Sequence, residues 1–91
     1  MKAIVYSKEN CPYCVRAKAL LKKLDIPYAE FIIGVAGTKT LEENQQWTTR
    51  EELLEKAPNA RTVPQIWLGD DHVGGYTELA ARFSSSTSLT A

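Results

Sequence analysis

The chain has 91 residues, of which 44% are hydrophobic and 24% are charged, the composition of an ordinary soluble globular domain. The 11 basic and 11 acidic residues cancel, and this neutrality argues against a polyanion-binding module, so no nucleic-acid partner is expected. No run approaches the roughly 18 apolar residues of a membrane span, and the N-terminus lacks the apolar stretch and cleavage site of a signal peptide. We therefore expect one cytoplasmic domain that does not contact a membrane.

The first third of the chain predicts a strand, a helix and a second strand. Residues 3–6 are apolar and rich in β-formers, which is typical of a buried strand. Pro12 suits the first position of a helix, and apolar residues then recur with helical spacing from Ala17 to Leu24. Residues 28–33 read as a second strand, so the helical crossover implies a parallel βαβ unit. Four basic residues are predicted on the other face of the helix: Arg16, Lys18, Lys22 and Lys23.

The middle of the chain has the weakest pattern. Residues 34–47 contain two glycines and only scattered apolar side chains, so we predict mostly loop, with a short helical turn capped at Thr40 as the alternative. Thr48 or Thr49, each followed three residues later by a glutamate, predicts the N-cap of a second helix.

The last third predicts a hairpin and a closing helix. Residues 63–68 are strand-like, Asp70-Asp71 suits a turn into a short strand, and Gly74-Gly75 leads into the helix. The polar residues 84–91 are expected to form a tail outside the 1–83 domain. The order of elements matches a thioredoxin-like α/β fold, a four-stranded mixed sheet with helices on both faces.

The two cysteines are the strongest candidates for chemistry. If Pro12 opens the helix, Cys11 is the N-cap, and its sulfur can accept hydrogen bonds from free amides of the first turn. These amides, the helix dipole and nearby Lys8 favour the thiolate, so the pKa of Cys11 should lie below the free-thiol value of about 8.5. Cys11 is thus the predicted nucleophile, and Cys14, deeper in the helix, is the predicted resolving thiol.

A zinc site is the alternative for a close cysteine pair. Structural zinc requires four ligands, and beyond the two sulfurs the chain offers only His72 as a good nitrogen ligand, with Asp70 and Asp71 as weaker oxygen ligands. This shortage disfavours zinc, and no metal is expected. His72 is interpreted as a solvated turn residue.

Three separated segments resemble the glutaredoxins, small disulfide oxidoreductases with a thioredoxin fold. Residues 11–18, Cys-Pro-Tyr-Cys-Val-Arg-Ala-Lys, resemble the active-site segment of the dithiol members. Residues 62–65 resemble the family's cis-proline motif, and residues 74–79 resemble its glutathione-binding turn and helix start. The segments occur in the family's order, and the resemblance covers about residues 2–83.

The resemblance implies glutathione as co-substrate. A cis Val63–Pro64 bond would turn the Val63 backbone toward the cysteines, where an extended substrate can pair with it. Gly74-Gly75 permits close approach, with any positive φ expected at Gly75, and the following helix offers free amides to a carboxylate, with Thr77 as a cap. The predicted glutathione-binding residues are Lys8, Tyr13, Arg61, Thr62, Val63, Pro64, Gly75, Tyr76, Thr77 and Glu78.

Besides Thr77, four of these residues have expected side-chain roles. Lys8 and Arg61 are candidates for the second carboxylate of glutathione, although a solvated surface position for Arg61 is an equal alternative. Glu78 stands where the family often has Asp, so its longer side chain reaches differently toward the ligand's amino group. Tyr13 is expected to form an exposed aromatic wall.

Together these features predict a monomeric, glutathione-dependent oxidoreductase that reduces protein disulfides and protein–glutathione mixed disulfides. The resemblance adds ribonucleotide reductase to the possible protein substrates. One alternative is a thioredoxin-like reductant that a reductase protein reduces directly, with a reduction potential of about −270 mV rather than about −200 to −230 mV. The other is a module that holds an iron–sulfur cluster through Cys11 and glutathione in a dimer, against which Pro12 argues by resemblance.

Overall fold

A computed structural model describes residues 2–90 of the chain, with side chains for residues 2–83. Within this range there are five strands and three helices. The strands are β1 (Ala3–Lys8), β2 (Tyr28–Ile33), β3 (Gln45–Thr48), β4 (Gln65–Leu68) and β5 (Asp71–Gly74). The helices are α1 (Pro12–Lys23), α2 (Arg50–Lys56) and α3 (Tyr76–Thr90). None of the described helices combines the length and hydropathy that a membrane crossing requires.

The strands form one mixed sheet in the order β3-β2-β1-β4-β5. β1 pairs in parallel with β2, and β2 with β3, whereas the pairs β1–β4 and β4–β5 are antiparallel. The parallel βαβ unit and the thioredoxin-like fold are confirmed. Central strand β1 ends at Lys8, directly before the cysteine segment, so the sheet itself fixes the position of the cysteines.

The fifth strand, β3, corrects the predicted four-stranded sheet. It lies in the segment interpreted as loop, and residues 34–44, all of them described, contain no helical turn at Thr40. β3 lies at the edge of the sheet, where Ile32 pairs with Trp47, and the Glu30 N–H donates to the Asn44 carbonyl at 2.9 Å. Its partners are distant in sequence, and its own residues are mostly polar, so no local periodicity marks it.

The core consists of one hydrophobic layer on each face of the sheet. Because strand residues alternate in direction, Ile66 and Leu68 point into one layer and Trp67 into the other, as predicted. The first layer lies under α1 and α3 and contains Ala3, Val5, Ala17, Leu21, Ile66, Leu68 and Leu79. The second lies under α2 and contains Tyr6, Leu53, Ala57 and Trp67.

The boundaries of the other elements largely follow their local sequence. Thr49 is the N-cap of α2, and its hydroxyl accepts from the Glu52 N–H at 3.2 Å, which confirms the predicted cap. β4 begins at Gln65, directly after the cis Val63–Pro64 bond, rather than at residue 63. α3 continues to Thr90. The side chains of residues 84–91 lie outside the described ones, so a separate polar tail stays a prediction.

Candidate active site

The cysteine pair lies where β1 passes into α1. Cys11 is the N-cap of the helix and Pro12 its first residue, as predicted. The Cys14 N–H donates to Cys11 Sγ at 3.2 Å, so the sulfur occupies the position of a capping acceptor. The two cysteines form a disulfide, with their Cα atoms 5.2 Å apart. Cys11 is 8% exposed and Cys14 only 2% exposed, which makes Cys11 the more accessible sulfur.

The loop before β4 lies against the cysteines. The Val63–Pro64 peptide bond is cis, as the resemblance implied. The Val63 carbonyl oxygen lies 3.7 Å from Cys11 Sγ. A substrate chain that pairs with the Val63 backbone would therefore lie next to the reactive sulfur.

A groove of about 300 Å³ runs from the cysteine segment to the start of α3. We call it the α3 groove. It is lined by Tyr13, Thr62, Val63, Pro64, Gly75, Tyr76, Thr77 and Glu78. The structure thus brings together all of the predicted glutathione-binding residues except Lys8 and Arg61.

The start of α3 differs in detail from expectation. The helix begins at Tyr76, and the Gly75 carbonyl accepts from the Leu79 N–H at 3.0 Å, so Gly75 rather than Thr77 occupies the cap position. The Glu78 carboxylate accepts from the Gly75 N–H at 2.8 Å. The amides of Tyr76 and Thr77 therefore remain as donors for a ligand, because they belong to the first turn.

The two adjacent glycines have separate conformations. Gly74, not Gly75, has a left-handed φ of +117°, which corrects the expectation placed on Gly75. A Cβ at Gly75 would lie 3.4 Å from the Pro64 carbonyl oxygen and 3.3 Å from the Glu78 carboxylate. Close packing, rather than backbone conformation, is therefore the constraint at Gly75.

Lys8 and Arg61 lie together on the neighbouring side of the cis-proline loop. Both line a small cavity of about 80 Å³ that also contacts Thr62 and Val63. Thr62 and Val63 also line the α3 groove. Lys8 and Arg61 therefore lie in a cavity that adjoins the α3 groove at these two residues. Arg61 itself is exposed, so the structure is compatible with both predicted roles.

Two tyrosines form the rim of the α3 groove. Tyr13 is 54% exposed, and its ring centroid lies 6.1 Å from that of Tyr76. The Arg16 guanidinium lies 5.3 Å from the centre of the Tyr13 ring. The expected aromatic wall at Tyr13 is therefore present, and Tyr76 extends it.

A second groove, of about 560 Å³, lies on another side of the cysteine pair. We call it the lysine groove. Its twelve lining residues are Ser7, Lys8, Glu9, Asn10, Cys11, Pro12, Cys14, Val15, Lys18, Glu30, Ile32 and Lys39. Most of this groove was not predicted, because its charged residues come from three separate segments of the chain.

Glu30 is the buried charge of the lysine groove. Its side chain is 4% exposed, and it accepts hydrogen bonds from the Ser7 hydroxyl, from Lys18 Nζ at 2.9 Å and from Gln45 Nε2 at 2.8 Å. Burial raises the pKa of Glu30, but these hydrogen bonds and the Lys18 charge outweigh burial and leave the pKa below 4.5. Lys18, predicted only to lie on the basic face of α1, is half-buried and pairs with this carboxylate.

His72 is exposed, as predicted for a solvated residue, but it lies in strand β5 rather than in a turn. Its ring stacks on Trp67 with the centroids 4.4 Å apart, and Nε2 lies 2.8 Å from the Gln65 amide oxygen. Among the residues that the structure describes, no three His, Cys, Asp or Glu side chains are grouped as metal ligands would be.

Comparison with known proteins gives one consistent result. A protein-family model described as Glutaredoxin matches residues 3–73. Glutaredoxin 1 of Escherichia coli (strain K12) is 37% identical over 82 residues, covering 89% of this chain and 91% of that protein.

Solved structures agree with the sequence comparisons. The fold is similar to an NMR structure of reduced Escherichia coli glutaredoxin, with a TM-score of 0.69, 35% identity and 100% of both chains covered. It is also similar to the crystal structure of a buckwheat glutaredoxin–glutathione complex, with a TM-score of 0.65 and 25% identity. That match covers 92% of this chain and 69% of the buckwheat chain.

Proposed function

Because the chain belongs to the glutaredoxin family, we propose that glutathione is its co-substrate and binds in the α3 groove. Family membership and the Cys11–Cys14 pair make the protein a thiol–disulfide oxidoreductase. The proposal goes further, because it names the reductant and the residues that hold it.

One observation carries the proposal: a single groove extends from Val63, which contacts the reactive sulfur, to the free amides of the first turn of α3. The Val63 carbonyl lies beside Cys11 Sγ at one end of the groove, and the first turn of α3 lies at the other. Glutathione needs this combination, because its cysteine must reach the sulfur while its carboxylates are bound. Helix amides and dipole suit one carboxylate, and Lys8 and Arg61 suit the other.

Deglutathionylation requires only Cys11. Its thiolate attacks the glutathione sulfur of a mixed disulfide, so that the protein thiolate leaves and Cys11 becomes glutathionylated. A second glutathione thiolate then attacks this bond, which frees the Cys11 thiolate and forms glutathione disulfide. The cap position of Cys11 favours the thiolate as both nucleophile and leaving group.

Reduction of a protein disulfide requires both cysteines. The Cys11 thiolate attacks one sulfur of the substrate disulfide, the other sulfur leaves as a thiolate, and a mixed disulfide between Cys11 and the substrate protein forms. The Cys14 thiol then attacks Cys11, the Cys11–Cys14 disulfide forms, and the proton of Cys14 goes to the departing thiolate. Two glutathione thiols restore the dithiol and leave as glutathione disulfide. The deeper burial of Cys14 fits a thiol that reacts within the protein.

The remaining expectations about partners also belong to this proposal. We expect a cytoplasmic monomer that acts on disulfide-containing and glutathionylated proteins, with ribonucleotide reductase as one candidate substrate. Neither a metal nor an iron–sulfur cluster has a part in this chemistry. The similar buckwheat glutaredoxin was solved in complex with glutathione, which supports glutathione as the ligand proposed for this chain.

The test is reduction of a small glutathione mixed disulfide, measured with glutathione and glutathione reductase present together and with each omitted. We expect activity only when glutathione is present. Equal turnover with thioredoxin reductase in place of glutathione would instead establish the thioredoxin-like alternative. A visible spectrum of the protein as purified tests for the cluster, which absorbs in the visible range whereas a disulfide does not.

A further inference from the structure

The lysine groove holds more charge than the chemistry of the two cysteines uses. Of its described charged residues, three are lysines and two are glutamates: Lys8, Glu9, Lys18, Glu30 and Lys39. Lys18 pairs with Glu30 and Lys39 pairs with Glu9, and Lys8 alone among these five forms no ion pair. The groove therefore presents one uncompensated positive charge to the dithiol.

The two ion pairs lie in different surroundings. The Glu9 and Lys39 side chains are 55% and 45% exposed, so water and salt screen their charges. The Glu30 side chain is 4% exposed and that of Lys18 is 25% exposed, so their charges act through a medium of lower dielectric. Removing a charge from the buried Lys18–Glu30 pair should therefore change the electrostatic potential at the sulfurs more than removing one from the exposed Glu9–Lys39 pair.

The sequence position of Lys18 gives it access to the cysteines. Lys18 follows Cys14 by four residues in α1, which places both on one face of the helix. Its ammonium is nevertheless bonded to Glu30 at 2.9 Å. Ser7 and Gln45 hold that carboxylate from β1 and β3, so Glu30 is a fixed counter-charge rather than a mobile surface acid.

From this arrangement we infer that Glu30 is a positioning residue that holds and neutralises Lys18, and thereby limits how strongly the protein stabilises the Cys11 thiolate. The inference rests on the dithiol chemistry of the proposed function, but not on the glutathione groove. A two-electron reduction by dithiothreitol converts the disulfide to a Cys11 thiolate and a Cys14 thiol. One proton is released, and dithiothreitol becomes its cyclic disulfide. A more positive groove favours the products of this reaction.

The experiment measures two properties of the full chain, the pKa of Cys11 and the equilibrium with dithiothreitol. The pKa comes from the pH dependence of Cys11 alkylation by iodoacetamide. Glu30→Gln keeps the shape of the side chain and removes its charge. We expect the pKa of Cys11 to fall by about half a unit and the equilibrium to shift about threefold toward the reduced protein.

Lys18→Gln should change both properties in the opposite direction. The double variant Glu30→Gln/Lys18→Gln should lie close to the parent, because it restores the net charge of the groove. Lys18→Gln also keeps the inference testable if Glu30→Gln does not fold, which thermal unfolding of each variant reveals.

Glu9→Gln is the matched control, because it removes the same charge from the exposed pair of the same groove. We expect a smaller shift that disappears in about 0.5 M salt, while the Glu30→Gln shift persists. The inference is overturned if Glu30→Gln and Lys18→Gln shift the pKa of Cys11 in the same direction, or if Glu30→Gln shifts it no more than Glu9→Gln. A failed glutathione assay together with these shifts would refute the glutathione proposal alone.

Discussion

The two grooves beside the cysteine segment differ in what they offer a reacting thiol. Glu78 is the single charged residue among those described along the α3 groove, and its carboxylate is bonded to the Gly75 amide. Backbone amides, a backbone carbonyl and two tyrosine rings make up most of the rest. The lysine groove has five charged side chains and a buried carboxylate. Backbone and ring contacts thus predominate in the α3 groove and charge predominates in the lysine groove, and Lys8, which lines the lysine groove, has a proposed part in both functions. Substitutions at the other residues should therefore affect glutathione binding and thiolate stability separately.

The largest expected effect concerns the two sulfurs, which line the lysine groove and lie next to the Val63 end of the α3 groove. Cys11→Ser should abolish deglutathionylation and protein disulfide reduction, whereas Cys14→Ser should keep the first and lose the second. Steady-state assays with a glutathione mixed disulfide and with a disulfide protein measure the two activities. Equal losses from the two substitutions would mean that the roles of nucleophile and resolving thiol are assigned wrongly.

The next effect should be confined to the α3 groove. Gly75→Val adds side-chain atoms where even a Cβ meets the Pro64 carbonyl at 3.4 Å, so we expect the apparent glutathione affinity to fall more than tenfold. Thr77→Ser keeps the backbone amide and the hydroxyl, and should change the affinity less than twofold. Tyr76→Ala should fall between the two.

Thermal unfolding separates loss of folding from loss of binding in this series. If folded Gly75→Val bound glutathione as tightly as the parent, glutathione would have to bind elsewhere. The alkylation rate of Cys11 should stay unchanged in all three variants, since none of them alters the lysine groove.

A smaller effect, on stability, should be confined to the lysine groove. The folded protein lowers the pKa of Glu30 below 4.5, so the carboxylate stabilises the fold above that pH, and the contribution is lost as the pH falls through the lowered pKa. Glu30→Gln should therefore cost about 1 kcal/mol at pH 7, where it weakens charged hydrogen bonds. Urea unfolding should show this difference shrinking well below pH 4.5. A difference that is constant with pH would contradict the ionised state of Glu30.

The smallest effect tests the one unpaired lysine of the groove. Lys8→Gln removes a positive charge near Cys11, so the pKa of Cys11 should rise by about half a unit while staying below the free-thiol value of about 8.5. The pH dependence of iodoacetamide alkylation measures it, with the exposed Lys23→Gln on the far end of α1 as control. A parent pKa at or above 8.5 would contradict the helix-cap argument itself.

The elements that the sequence predicts are those whose determinants are local. α1 begins at Pro12 because Cys11 caps it, and the Thr49 cap of α2 involves residues three apart. The cysteine segment and the cis-proline loop could be predicted because each is specified by a motif of a few consecutive residues. In these places, the residues that specify the structure are neighbours in sequence.

The features that could not be predicted depend on distant residues. β3 has a mostly polar sequence, and Gln45 is tied to Glu30 from fifteen residues away. The Lys18–Glu30 pair joins α1 to β2, so the spacing of α1 alone could only place Lys18 on its polar face. The adjacent Gly74 and Gly75 offer no local basis for deciding which takes the positive φ.

Cys11 Sγ closes the first turn of α1 and is also the atom that changes bonding partner in every turnover. The Cys14 N–H donates to this sulfur even in the disulfide, and a free thiolate is a stronger acceptor than a sulfur joined to a substrate. The catalytic cycle therefore also strengthens and weakens the cap of α1. By thermodynamic linkage, the amount by which the thiolate caps the helix better than the substrate-bound sulfur does is also the amount by which the cap favours release of the substrate from Cys11. Part of the driving force for product release thus comes from the helix that begins at the nucleophile.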